Sequence, residues 1–196
     1  MKKTIAVLFA VLFALSVFTA CGNKNETHSE TPRVKFTMAD KKTFVVELYP
    51  QYAPETVANF LGLVEAGEYD GVTFHRISEG FVAQGGAYLP DGTMRSSKTI
   101  KGEFAANNFP QNIMKHERGV ISMARQSNSY DSASNQFFIC YKTITSLDGS
   151  YAAFGKVVEG METIDSFLES ERTMNSLGEI AEPVEPIVIK RAVVIS

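Results

Sequence analysis

Phe74-His75-Arg76-Ile77-Ser78-Glu79-Gly80-Phe81-Val82-Ala83-Gln84-Gly85-Gly86 is the stretch whose reading decides the fold. It places an arginine, a phenylalanine and a glutamine within nine residues, punctuated by glycines. Asp70-Gly71 ahead of it reads as a turn, and residues 72–77 and 81–84 read as strands. A second stretch, Gln136-Phe137-Phe138-Ile139-Cys140, supplies another polar and aromatic pair. On a strand Gln136 and Phe138 share one face, while Phe137 and Ile139 take the other, toward a core. Phe81 and Gln84 are three apart, so a regular strand sets them on opposite faces. They converge only if the backbone kinks, and the glycines make a kink accessible. By the same alternation His75 points away from Arg76, and we read it as a hydrogen-bonded structural histidine.

Outward from these motifs the pattern is mostly strand. Residues 33–37 and 43–48 alternate polar and apolar around Asp40-Lys41-Lys42, a hairpin signal. Residues 119–124, 136–141, 152–158 and 187–195 complete about eight strands. Pro54 opens a helix, with Val57, Phe60, Leu61 and Val64 at helical spacing and Gly67 as its stop. A second short helix is predicted over 162–168. Residues 170–186 have few apolar side chains and two Glu-Pro pairs, and read as a surface loop. Short strands at even spacing suggest a closed sheet, with barrel and sandwich undecided by pattern alone.

Together the two motifs resemble the active site of cyclophilins, the peptidyl-prolyl cis-trans isomerases. The resemblance runs over nearly the whole chain after the first thirty or so residues. It implies a mainly β fold: a closed eight-stranded antiparallel barrel capped by two helices. It implies Arg76 as the catalytic residue, and its guanidinium is a suitable fixed donor because it stays charged and planar. Phe81, Gln84, Ala124, Gln136, Phe138, Leu147 and Tyr151 are the implied substrate contacts. The chain also departs from the family: Ser146 stands where eukaryotic members commonly carry Trp, Tyr151 where His is frequent, and Arg125 where Asn is frequent. The implied partners are proline-containing polypeptides, and no cofactor or metal is expected. His28, His75 and His116 are far apart and lack metal-ligand spacing. Asp131-Ser132 or Asp148 with His75 would make a hydrolase triad, but no Gly-x-Ser-x-Gly turn accompanies them. The competing readings are a proline-segment binding module or chaperone with negligible turnover, and a solute-binding lipoprotein.

The N-terminus carries an address. Lys2 and Lys3 precede an almost uninterrupted apolar run from Ile5 to Phe18, and Thr19-Ala20 closes it with small residues. This is the layout of a signal peptide over residues 1–20, short for a membrane span of ~20 apolar residues, with an uncleaved anchor helix as the alternative. Val17-Phe18-Thr19-Ala20-Cys21 resembles a bacterial lipobox, which implies a lipidated Cys21 as mature N-terminus. Residues 21–32 are then a flexible polar tether, and 33–196 the isomerase domain, extracytoplasmic and anchored to the membrane by lipid. Loss of Lys2 and Lys3 takes the net charge from −3 to −5, and no basic run is present, which argues against a nucleic-acid partner. Cys140 is then the only cysteine in the domain, so the fold must hold through its core without an internal disulfide. Nothing in the sequence requires more than a monomer.

Overall fold

Residues 31–195 are described by a computed structural model. The expected signal peptide, Cys21 and nearly all of the tether lie outside the described residues.

The alternation that predicts the first hairpin is realised in β1 (Arg33–Met38) and β2 (Thr43–Leu48). Val34, Phe36, Met38, Phe44, Val46 and Leu48 are all buried. The remaining strands are β3 (Thr73–Ile77), β4 (Val82–Gly85), β5 (Val120–Met123), β6 (Phe137–Cys140), β7 (Ala153–Glu159) and, at the end of the chain, β10 (Ile187–Ile195). They close into one antiparallel barrel in the order β1-β10-β3-β4-β6-β5-β7-β2. A closed sheet leaves no unpaired edge, which settles barrel over sandwich.

The barrel interior is aromatic. Phe36 and Phe44 stack at 4.6 Å between ring centroids, and Phe137 meets Phe74 edge-on at 5.6 Å. Helix α1 (Pro54–Glu65) follows the C-terminal end of β2 and sends Phe60 against Phe154, 4.9 Å away. Helix α2 (Met161–Asp165) sits at the other end of β2, where Thr163 Oγ1 donates to the Thr43 carbonyl. The single turn after it, Ser166–Glu169, brings Phe167 to 4.9 Å from Phe74. Each mouth of the barrel is thus plugged by a helix and one phenylalanine. The N-cap residue of α1, Ala53, has no side chain that can cap. Its first-turn N–H groups at Glu55 and Thr56 donate instead to the carboxylate of buried Glu103, at 3.0 and 2.7 Å. A negative group there also complements the positive end of the helix dipole.

The region 170–186 is not a plain loop. It contains a two-stranded hairpin, β8 (Arg172–Met174) and β9 (Ile180–Pro183), turned through Gly178 at φ +81°. Its side chains are mostly exposed, so apolar alternation does not mark it. Ala181 alone is fully buried.

Candidate functional site

The β3–β4 pair places the first motif. Across it Phe74 faces Gly85 and Arg76 faces Gln84, so His75 is an extra residue, a bulge. Phe74 and Ile77 are both fully buried in the barrel although they are three apart. The bulge therefore turns His75 and Arg76 outward together, where both line one cavity. This corrects the expected alternation of His75 against Arg76. His75 packs edge-on to Tyr88 at 4.8 Å, and its Nδ1 is buried without a hydrogen-bond partner. Burial pulls its pKa down to about 4, so it is neutral at pH 7.

Phe81 lies outside the strand. The turn at residues 78–81, with Gly80 at φ +66°, frees it from strand parity and solves the convergence problem. The Arg76 guanidinium carbon lies 5.5 Å from the centre of its ring. Arg76 Nη1 donates to Gln84 Oε1 at 3.2 Å, and Gln84 Nε2 donates to Gln136 Oε1 at 3.0 Å. Arg76, Gln84 and Gln136 thus form one line of side chains across three strands' worth of surface. Glu179, from the β8–β9 turn, accepts from Arg76 Nε at 2.7 Å and from Nη2 at 2.8 Å. Those two hydrogen bonds hold its carboxyl below the usual range. Sequence reading missed Glu179 because it is 103 residues from its partner.

The second motif sorts by face as expected. Phe137 and Ile139 belong to the barrel core, while Phe138 and Cys140 join Val82 and Ile144 in a separate cluster outside it. Phe81, Ala124, Leu147 and Tyr151 pack on that cluster half-buried, so five of the seven expected substrate contacts gather in one apolar cluster, with Phe138 recessed below the half-buried four. Tyr151 meets Phe138 edge-on at 5.8 Å. Arg125 braces the wall, its guanidinium 4.4 Å from the centre of the Tyr151 ring while Nε donates to the Ser150 carbonyl. Cys140 is the fully buried small apolar residue expected, and burial pushes its thiol up to about 12.

Behind Phe138 lies a polar line that the sequence did not announce. The His116 ring stacks on Phe138 at 6.0 Å and 20°. His116 Nδ1 is 3.1 Å from Asp148 Oδ1, and Nε2 is 3.1 Å from Ser122 Oγ. Burial lowers the pKa of His116 against the opposing pull of Asp148, so the ring is neutral. Nδ1–H then donates to the carboxylate, and Nε2 accepts from the serine hydroxyl. Asp148 is pushed up by burial but ends below its ordinary range through hydrogen bonds from His116, N–H and ring, and the nearby Lys115 charge. Ser122 and His116 are sealed from solvent, so this line supports the Phe138 ring and cannot act on a substrate. Asp148 serves His116 and not His75, and Asp131 accepts from Gly102 N–H and Asn107. The triad weighed with His75 does not form.

Gln84 and Gln136 border two depressions. One, of 770 Å³, runs past Arg76 to Leu89, Asp91, Leu177 and Pro186; the other, of 380 Å³, runs past Ala124 to Arg95 and Ser134.

A family model described as cyclophilin type peptidyl-prolyl cis-trans isomerase/CLD matches residues 33–194. Peptidyl-prolyl cis-trans isomerase B of Bacillus subtilis is 43% identical over 127 residues, covering 65% of this chain and 84% of that protein. A peptidyl-prolyl cis-trans isomerase of Streptomyces antibioticus is 36% identical over 156 residues, covering 76% of this chain and 90% of that protein. Among solved structures, the cyclophilin type isomerase of Cryptosporidium parvum, crystallised in the presence of the dipeptide Ala-Pro, superposes with a TM-score of 0.68. It shares 29% identity over 84% of this chain and 99% of that one.

Proposed function

The chain belongs to the cyclophilin type peptidyl-prolyl cis-trans isomerases, and we propose that it accelerates X-Pro bond rotation in exported polypeptides, assisting their folding at the membrane surface. Rotation about a peptide bond breaks amide resonance, against a barrier of about 18–20 kcal/mol. For X-Pro bonds the two isomers are close in energy, yet uncatalysed exchange takes roughly tens to hundreds of seconds. A site that binds the twisted amide better than the planar one speeds the exchange.

The recess of Phe81, Phe138, Leu147 and Tyr151 suits a proline ring and removes water from it. In the twisted state the amide nitrogen becomes pyramidal, and its lone pair accepts a hydrogen bond. Arg76 is the donor. Gln136 and Gln84 hold the client's backbone beside it, and Ala124 lines the approach. The observation that carries this reading is the Arg76 guanidinium set over Phe81 and hydrogen-bonded to Gln84 at the edge of the recess.

The membrane address rests on the sequence of residues 1–21, with Cys21 carrying the lipid and the domain acting extracytoplasmically as a monomer. Two-dimensional NMR exchange on a short peptide with one Ala-Pro bond tests the activity. Catalytic amounts of the full chain should give exchange cross-peaks between cis and trans signals. Binding shifts without cross-peaks would favour the proline-segment binding module.

A further inference from the structure

Arg76 has five N–H groups, and three are already engaged. Glu179 takes Nε–H and one hydrogen of Nη2 in the parallel two-bond geometry that suits a guanidinium and a carboxylate. Gln84 takes one hydrogen of Nη1. The two left over sit one on each terminal nitrogen.

The carboxylate is delivered by a built turn. Asn175 Oδ1 accepts the N–H groups of Leu177 and Glu179, at 2.9 and 3.0 Å, and its Nδ2 donates to Glu179 Oε2 at 3.3 Å. The hairpin that carries the turn is seated by buried Ala181 and by Arg172, which reaches the Ile77 carbonyl of β3 and pairs with Glu79. Arg76 is therefore held from both sides, by β4 through Gln84 and by the hairpin through Glu179.

We propose that Glu179 is a positioning residue for Arg76, fixing the guanidinium plane over Phe81 so that its two free N–H groups meet the client's amide. A long side chain left unclamped must be ordered during the reaction, whereas one already fixed stabilises developing charge without that reorganisation. The ion pair also makes Arg76 a directed donor more than a bare cation. Other ionisable groups face this pair: Asp91, Glu182 and His75 line the adjoining cavity, and Arg172 and Glu79 pair at the hairpin's base.

This inference rests on the isomerase reading, and its test separates the two. The full chain is assayed by NMR exchange on the same Ala-Pro peptide. Glu179→Ala should slow turnover on the order of ten- to a hundredfold, the scale of a small misplacement of a catalytic group, with affinity changed by about twofold or less. Glu179→Gln, which keeps one acceptor, should fall between. Arg76→Ala/Glu179→Ala should be no slower than Arg76→Ala alone, since Glu179 acts through Arg76. The Arg76 Nε–H signal should exchange with water faster in Glu179→Ala than in the wild type. As acid protonates Glu179 the wild-type rate should fall toward that of Glu179→Gln. A Glu179→Ala variant as fast as the wild type or faster, or a double variant slower than Arg76→Ala, overturns the proposal. A wild type without exchange sinks the isomerase reading instead, and the Nε–H signal then still decides whether the clamp exists.

Discussion

The His116 ring lies nearly parallel to Phe138, 6.0 Å from it and behind it as seen from the recess. A residue expected to line a groove is thereby held from the rear. Phe138 is as a result almost fully buried, and its orientation is tied to Asp148 and Ser122 through one imidazole.

The two neighbouring phenylalanines of β6 should fail differently. Phe137→Ala empties the centre of the barrel and should destabilise by about 3–5 kcal/mol, the usual cost of such a deletion. Phe138→Ala should abolish most peptide binding, because it removes the floor of the recess. Denaturant melts and peptide titration together check this. Unchanged binding by the Phe138 variant contradicts the assignment of its face.

Arg76→Ala should lower the isomerisation rate by on the order of 10²–10³, as for loss of one preorganised transition-state donor. Peptide affinity should change far less, because the interaction is strongest in the twisted state. Arg76→Lys should recover only part of the rate, since an ammonium cannot reproduce the two-sided hold of Glu179 and Gln84. NMR exchange reports rate and binding in one sample, and full exchange by the Ala variant counts against the mechanism.

Acid should weaken the fold through His75. Its folded pKa is depressed to about 4 by burial, against an ordinary 6.5. Between those values the unfolded chain binds a proton that the folded chain refuses, so this contribution is full above pH 6.5 and is lost as pH falls toward 4. The shift corresponds to about 3–4 kcal/mol, and His116 acts in the same direction. Urea melts from pH 7 to 4.5 should show the decline, and His75→Gln should flatten it. An equally steep decline in the variant rules His75 out as its source.

The proposed anchor is tested in cells. A fatty-acid label should mark the wild-type chain, and Cys21→Ala should lose both the label and the membrane association. Unlabelled, freely soluble wild type excludes a lipoprotein. A Cys21→Ala chain that stays on the membrane points to an uncleaved apolar segment.

Much of the fold was legible because burial repeats at short range. The alternation in 33–48 marks both strands of the first hairpin, and Gln136-Phe137-Phe138-Ile139 sorts its own faces. What was missed is of two kinds. The bulge at His75 breaks the parity rule, although apolar Phe74 and Ile77 three residues apart were a visible sign of it. Glu179 and His116 owe their importance to tertiary neighbours, and no local pattern records that Arg76 or Phe138 will arrive beside them. For the hairpin a signal did exist: Asn175 and Gly178 are turn residues between Arg-Thr-Met and Ile-Ala-Glu.

Helix α1 has its capping carboxylate on Glu103, 48 and 47 residues downstream of the N–H groups it receives. A chain growing from its N-terminus presents this helix to water long before its cap has been made. The helix start is thus finished by a late event, the docking of residues beyond β4. Any nascent or proteolysed fragment ending before Glu103 carries an α1 whose first turn is open, and the opening of the barrel that α1 closes becomes the place where such a fragment first exposes Phe60.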